Sequence, residues 1–187
     1  MKNLKWLSAS SLSVASCNKE SAEPGFELTP TTQTGANTVS FRVNGRVWQP
    51  YGPRCFGYGG GPCIDKPLSV YHNSKRGQFQ ISDFLTTKSR AEDFSLGCDS
   101  LFEAGVFVLP PQGSSYRARR GGLSYAVARV VSDPSYSSSN PTQIHIEITR
   151  LDTVARIVAG VFSGRLPNRL NELEFISITE GRFDTKY

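Results

Sequence analysis

The sequence predicts an all-β domain, an antiparallel β-sandwich of two sheets with about ten strands, and three observations carry that prediction. Apolar residues alternate with polar ones in many short segments, turn residues punctuate the chain at close intervals, and no stretch keeps a convincing helical period. The 17 glycines and 11 prolines, set against 38% hydrophobic residues, suit short strands joined by many turns. A β-barrel is the alternative closure of the same strands.

Taken in order, residues 1–16 read as a signal peptide. Lys2 and Lys5 give a charged start, a semi-apolar stretch follows, and Val14-Ala15-Ser16 precede Cys17. This resembles a lipobox, in which an apolar residue stands three places before the cysteine and small residues lie next to it. The resemblance implies cleavage before Cys17 and lipid on its thiol, hence a membrane as partner through the N-terminal lipid. Residues 17–37 have almost no apolar periodicity, hold Pro24, Gly25, Pro30 and a threonine-rich run, and read as a flexible tether. Residues 38–187 remain for a single β domain, long enough to bury a real core.

The domain opens on Val39, Phe41 and Val43 alternating with Ser40 and Arg42, then Asn44-Gly45, then Val47 and Trp48. That is a β-hairpin with a type I′ turn, because Asn-Gly tolerates the positive φ that such a turn requires at both central residues. Further strands are expected at 68–72, 78–85, 94–101, 106–109, 123–131, 143–150, 155–166, 174–179 and 182–187. The clearest is 143–150, where Ile144, Ile146 and Ile148 share one face and Gln143, His145, Glu147 and Thr149 the other. By contrast, Ile157-Val158-Ala159-Gly160-Val161-Phe162 is apolar in both registers, as in a strand covered on both sides or one whose bare face is a contact surface.

Setting Cys17 aside leaves Cys55, Cys63 and Cys98, an odd number for an exported chain. Cys55 and Cys63 close a short loop rich in Gly and Pro and can form a disulfide; Cys98 is an alternative partner for either. Three cysteines without C-x-x-C spacing and only two histidines give no metal site. The formal charge of +5 falls to +3 once Lys2 and Lys5 leave with the leader. Arginines are spread along the chain, and the densest group, Arg117, Arg119 and Arg120 beside Gly121-Gly122, reads as a solvated turn, so nucleic acid is not an expected partner.

Two C-terminal runs carry a family resemblance: Ile148-Thr149-Arg150-Leu151-Asp152-Thr153-Val154-Ala155-Arg156-Ile157-Val158-Ala159-Gly160-Val161-Phe162, and Ile178-Thr179-Glu180-Gly181-Arg182-Phe183-Asp184-Thr185-Lys186-Tyr187. With the hairpin over 39–48, they resemble an uncharacterised family of Bacteroidetes-type lipoproteins, a domain of unknown function. The resemblance implies an exported, mostly β domain on a lipid anchor in the cell envelope, at the outer membrane, and carries no activity. The residues also have a structural reading. Asp152 suits a turn in which its carboxylate bonds backbone amides, and Gly181 suits a turn or bulge.

No catalytic constellation or cofactor motif stands out. Gly59-Gly60-Gly61 is followed by Pro62 rather than by Lys and Ser or Thr, which excludes a phosphate loop. No serine sits in G-x-S-x-G. His145 and Glu147, two apart on a wet strand face, are the one pair on which a hydrolase could be built, and a third group is not evident. The candidate ligand contacts are Tyr51, Arg54, Phe56 and Tyr58, in a loop that a Cys55–Cys63 disulfide would fix; rings beside Arg can stack on a sugar or anchor a protein. The expectation is a non-enzymatic binding module for a glycan, peptide or envelope protein. A structural subunit docking through 158–162 is the alternative, and the His145/Glu147 hydrolase comes after it.

Overall fold

A computed structural model describes residues 24–55, 61–65, 68–99, 101–109, 121–127, 134–137, 144–171 and 173–187. Residues 1–16, read above as a signal peptide, and Cys17, as well as Phe56 and Tyr58, lie outside the described residues.

Thirteen strands occur among them: β1 (Thr38–Val43), β2 (Arg46–Trp48), β3 (Arg54–Cys55), β4 (Cys63–Ile64), β5 (Ser69–Asn73), β6 (Gln78–Thr86), β7 (Ala91–Cys98), β8 (Gly105–Leu109), β9 (Gly121–Val127), β10 (Ser135–Ser137), β11 (Ile144–Asp152), β12 (Ile157–Pro167) and β13 (Phe175–Lys186). They form a six-stranded sheet, here sheet A, in the order β2-β1-β13-β12-β11-β8, and a five-stranded sheet B in the order β10-β9-β7-β6-β5. A small two-stranded sheet joins β3 to β4. Every strand pairing is antiparallel, and neither large sheet closes on itself, so the chain is a β-sandwich and not a barrel.

The core lies between the two sheets and follows from the alternation. Phe41, Trp48 and Phe94 stack at its centre, with ring centroids 4.6–5.6 Å apart, and Ile144, Ile146 and Ile148 point inward as a set. Each such burial contributes about 1.5–3 kcal/mol. The β1–β2 turn has φ of 49° at Asn44 and 85° at Gly45, the pair of positive values that the Asn-Gly signal predicts. Asp152 also behaves as the sequence indicates: its Oδ1 accepts the amides of Val154 and Ala155 at 3.1 and 2.7 Å, joining β11 to β12.

Two expectations need correction. The segments 174–179 and 182–187 are one strand, β13, because the break read at Glu180-Gly181 is a bulge: Glu180 takes a φ of 51° and pairing continues on either side of it. Gly181 is required there by close approach, since a Cβ would lie 2.6 Å from the Phe162 carbonyl oxygen. The described part of the expected tether, 24–37, is docked on the domain: Phe26 packs against Tyr51 and Arg90, and the chain from Thr29 onward lies against the outer face of sheet A. This strap crosses β1, where Thr29 Oγ1 meets the Ser40 hydroxyl at 2.8 Å, then β13, where Asp184 receives it. Asp184 Oδ2 accepts from Thr32 Oγ1 (2.6 Å) and the Thr34 amide (2.8 Å), and its Oδ1 from the Gly35 amide (2.7 Å). Arg182 and Arg150 donate to the Thr29 and Gln33 carbonyls. A polar segment without periodicity is thus ordered by side chains far away in sequence.

The strap settles the apolar run of β12. Val158 and Phe162 face the core, Ala159 on the other face is fully buried, and Val161 is half-buried beside Thr31. The apolar face that a docking subunit would present at 158–162 is therefore covered at Ala159 and left partly open at Val161, which lines a groove with Val106.

Candidate functional site

Of the loop residues singled out by the sequence, Tyr51 and Arg54 are described, and they separate in the structure. Tyr51 forms a parallel bridge to Leu85 and meets Phe26 of the strap edge-on, with ring centroids 5.6 Å apart. Arg54 turns the other way, onto the outer face of sheet B. Its guanidinium makes a two-pronged pair with the Asp93 carboxylate and sits 5.4 Å above the Phe84 ring. Next to it, Cys55 and Cys63 are cross-strand partners in the β3–β4 hairpin and form a disulfide, while Cys98 is buried with a free thiol that burial, helped by the charge of Asp99, pushes up to about 11.

Arg54 and Ile64 of this hairpin wall one side of an open groove of about 360 Å³ whose floor is the outer face of sheet B. Residue size gives the floor its character. Ser69 on β5 is paired with Ser82 on β6, Ser82 with Ser95 on β7, Ser95 with Ser124 on β9, and Ser124 with Ser137 on β10. Five serines therefore form one row across all five strands, with hydroxyls at the strand spacing of about 4.8 Å. Each hydroxyl can both donate and accept. In the next row Gln80 is paired with Tyr71 on one side and Gly97 on the other. The Gln80 amide donates to Ser82 and Ser95 at 3.1 and 3.4 Å, and Tyr71 is 51% exposed, its hydroxyl held by Asn73 at 3.2 Å. A low floor of serines, with Phe84 and Ala126 beside them, thus carries one standing aromatic ring at its edge and a charged pair opposite.

Sequence reading found Arg54 but none of Asp93, Phe84, Tyr71, Gln80 or the serines. Their signal lies in cross-strand register, which appears only once the strand order is known.

His145 and Glu147 lie on the outer face of sheet A, in an open groove of about 420 Å³ bounded by Thr31 of the strap. His145 is opposite Ser163 and Val108, and Glu147 is opposite Val161 and Val106. No hydrogen bond links His145, Glu147 or Ser163 to one another, so the nucleophile-to-base contact that hydrolysis requires is not made among them. The charged side chains beside them in this groove are engaged elsewhere, Glu180 with Arg42 and Arg182 with backbone carbonyls. His72, the chain's other histidine, faces away from this groove and packs edge-on against Tyr187 at 4.5 Å. Among the described residues no three His, Cys, Asp or Glu side chains converge as a metal site would need.

Two buried carboxylates differ in their surroundings. Asp184 is pushed up by burial, but its hydrogen bonds from Thr32, Thr34, Gly35 and Ala36 together outweigh that and hold it below the usual carboxylate value. Asp83 points to the core side of β6, and among the described residues it accepts only the Phe84 amide, at 2.8 Å, and keeps Oδ2 without a partner. Burial raises it to about 8, against a smaller lowering from that one bond.

Comparison with protein-family models, with curated proteins and with solved structures finds no match.

Proposed function

We propose that this chain is a lipid-anchored cell-envelope protein of the outer membrane whose β domain binds a glycan without transforming it, on the outer face of sheet B. The observation that carries the reading is the five-serine row beside the exposed Tyr71 ring. A glycan presents hydroxyls at regular intervals and an apolar ring face. A row of hydroxyls meets the first and an exposed aromatic meets the second. The Arg54–Asp93 pair gives a wall that can take further sugar hydroxyls, and the disulfide in the hairpin keeps it in place with little entropy left to lose on binding. The anchor rests on the order of Lys2, Lys5, Val14-Ala15-Ser16 and Cys17.

The test is a glycan array probed with the folded domain, followed by titration of any hit with Tyr71→Ala and with the double variant Ser82→Val/Ser95→Val. Valine suits a strand and leaves the core untouched, so both proteins should keep the wild-type melting curve. At least tenfold weaker binding in each is expected. A hit bound equally well by all three proteins, or binding only to peptides, would move the ligand away from this face.

A further inference from the structure

The strap changes the mechanical link between anchor and domain. From Cys17 to Thr38 the chain makes 21 residue steps, a fully extended reach of about 75 Å. Only nine of those steps, from Cys17 to Phe26, precede the first docked side chain, and they reach about 32 Å at most.

We infer that the docked strap is a reach limiter, which keeps the β domain close to the membrane surface and fixes the corner of the domain that faces the anchor; this rests on reading Cys17 as the lipid attachment point. Phe26 marks that corner, with its ring edge-on to Tyr51 and the Arg90 guanidinium 5.8 Å above it. Further along, Asp184 holds Thr32, Thr34 and Gly35, while the Asn37 side chain accepts the Lys186 amide at 2.8 Å. Asp184 lies 1% exposed on a central strand of sheet A, and in the strap it gathers backbone and hydroxyl donors together. Bonds to a charged acceptor are roughly twice as strong as neutral ones, so one carboxylate can hold a segment that buries little apolar surface. The Gly35 backbone, at a φ of 75°, fits against Lys186 where a Cβ would approach the lysine Cγ to 2.7 Å, so the strap has one specific seat. A short link raises the effective concentration of the domain at the surface, as any short tether does.

The experiment uses the full chain anchored in vesicles through its own N-terminus. A dye on Val154→Cys, a position 93% exposed, reports energy transfer to a headgroup dye, while buried Cys98 stays unlabelled. Wild type should give a short, narrow distance distribution and protected amides at Thr34 and Gly35. D184N should exchange those amides at least tenfold faster and give a longer, broader distribution. The strap-side double variant T32A/T34A leaves sheet A intact and should shift both readouts the same way. Unprotected amides in wild type, unchanged protection in both variants, or faster exchange with an unchanged distance distribution would each overturn the proposal. The anchor reading fails separately, if Cys17→Ala still sediments with vesicles while strap protection is unaltered.

Discussion

The outer faces of the two sheets each carry an open groove, yet on sheet A the chain's own strap covers the β1–β13 side, whereas on sheet B the serine row is left open. On sheet A the row through Thr38, Asp184, Ala159 and Arg150 carries a carboxylate on a central strand, and the strap folds over it with hydroxyls and amides. On sheet B the corresponding layer holds neutral hydroxyls with short side chains. A buried ionised carboxylate needs several donors, whereas a serine hydroxyl is satisfied by water. The two faces thus differ in how their carboxylates are matched: Asp184 is held by amides and hydroxyls of the strap, whereas Asp93 on sheet B is matched by the Arg54 guanidinium, which leaves the serine row open.

The strongest way to break that contrast is to remove the charge. Asp184→Asn keeps the shape but turns an acceptor toward two amides and two hydroxyls into a group that also donates, and unfolding in urea should show a loss of about 3 kcal/mol, the range for bonds to a buried charged group. The pH dependence has a fixed sign. Because the hydrogen bonds hold Asp184 below its ordinary value, its contribution is present at neutral pH and is lost as pH falls through the folded value, below about 4. The asparagine variant should lack that acid limb. An unchanged limb would assign it to other carboxylates and leave the strap without its charged hold.

The second carboxylate sharpens the comparison from inside the sandwich. Asp83 faces the core with one oxygen unpartnered among the described residues, and burial raises it to about 8. A raised folded value means that stability is fully present below the unfolded value, near 4, and is lost as pH rises toward 8. Asp83→Asn keeps an acceptor for the Phe84 amide and removes the titration, so it should gain on the order of 1–3 kcal/mol over wild type at pH 8 and little or nothing at pH 4. Chemical denaturation at the two pH values reads this directly. A loss at both would mean that the Asp83 carboxylate has a partner at neutral pH that burial alone does not reveal.

Local chemistry made much of the fold legible. Asn44-Gly45 specifies its own turn, the three isoleucines of β11 specify their own face, and Asp152 bonds amides only two and three residues away. What local sequence does not carry is anything set by a partner far along the chain. The strap read as a tether because its donors are matched by Asp184, roughly 150 residues later. Glu180-Gly181 read as a break because a bulge uses the same positive-φ and glycine signals as a turn. The candidate site divides on the same line: Arg54 and the Cys55–Cys63 pair stood out within one loop, whereas Asp93 under Arg54 and the serine row exist only through strand order and register.

The smallest expected effect tests the open face itself. Ser82, Ser95 and Ser124 are half-buried on strands whose other faces fill the core, and the one described side chain bonded to their hydroxyls is the exposed Gln80, through Ser82 and Ser95. If this layer is held ready for a ligand rather than for the fold, replacing all three by alanine removes hydroxyls that water otherwise serves. Surface changes of that kind stay within about 0.5 kcal/mol. The melting temperature should therefore hardly move, while affinity for any glycan hit should fall. A loss well above 1 kcal/mol would make the row a structural hydrogen-bond network and return the site to the loop. The pairing of Ser82 with Ser69 and Ser95 would then explain why the serines stand in register, without any ligand.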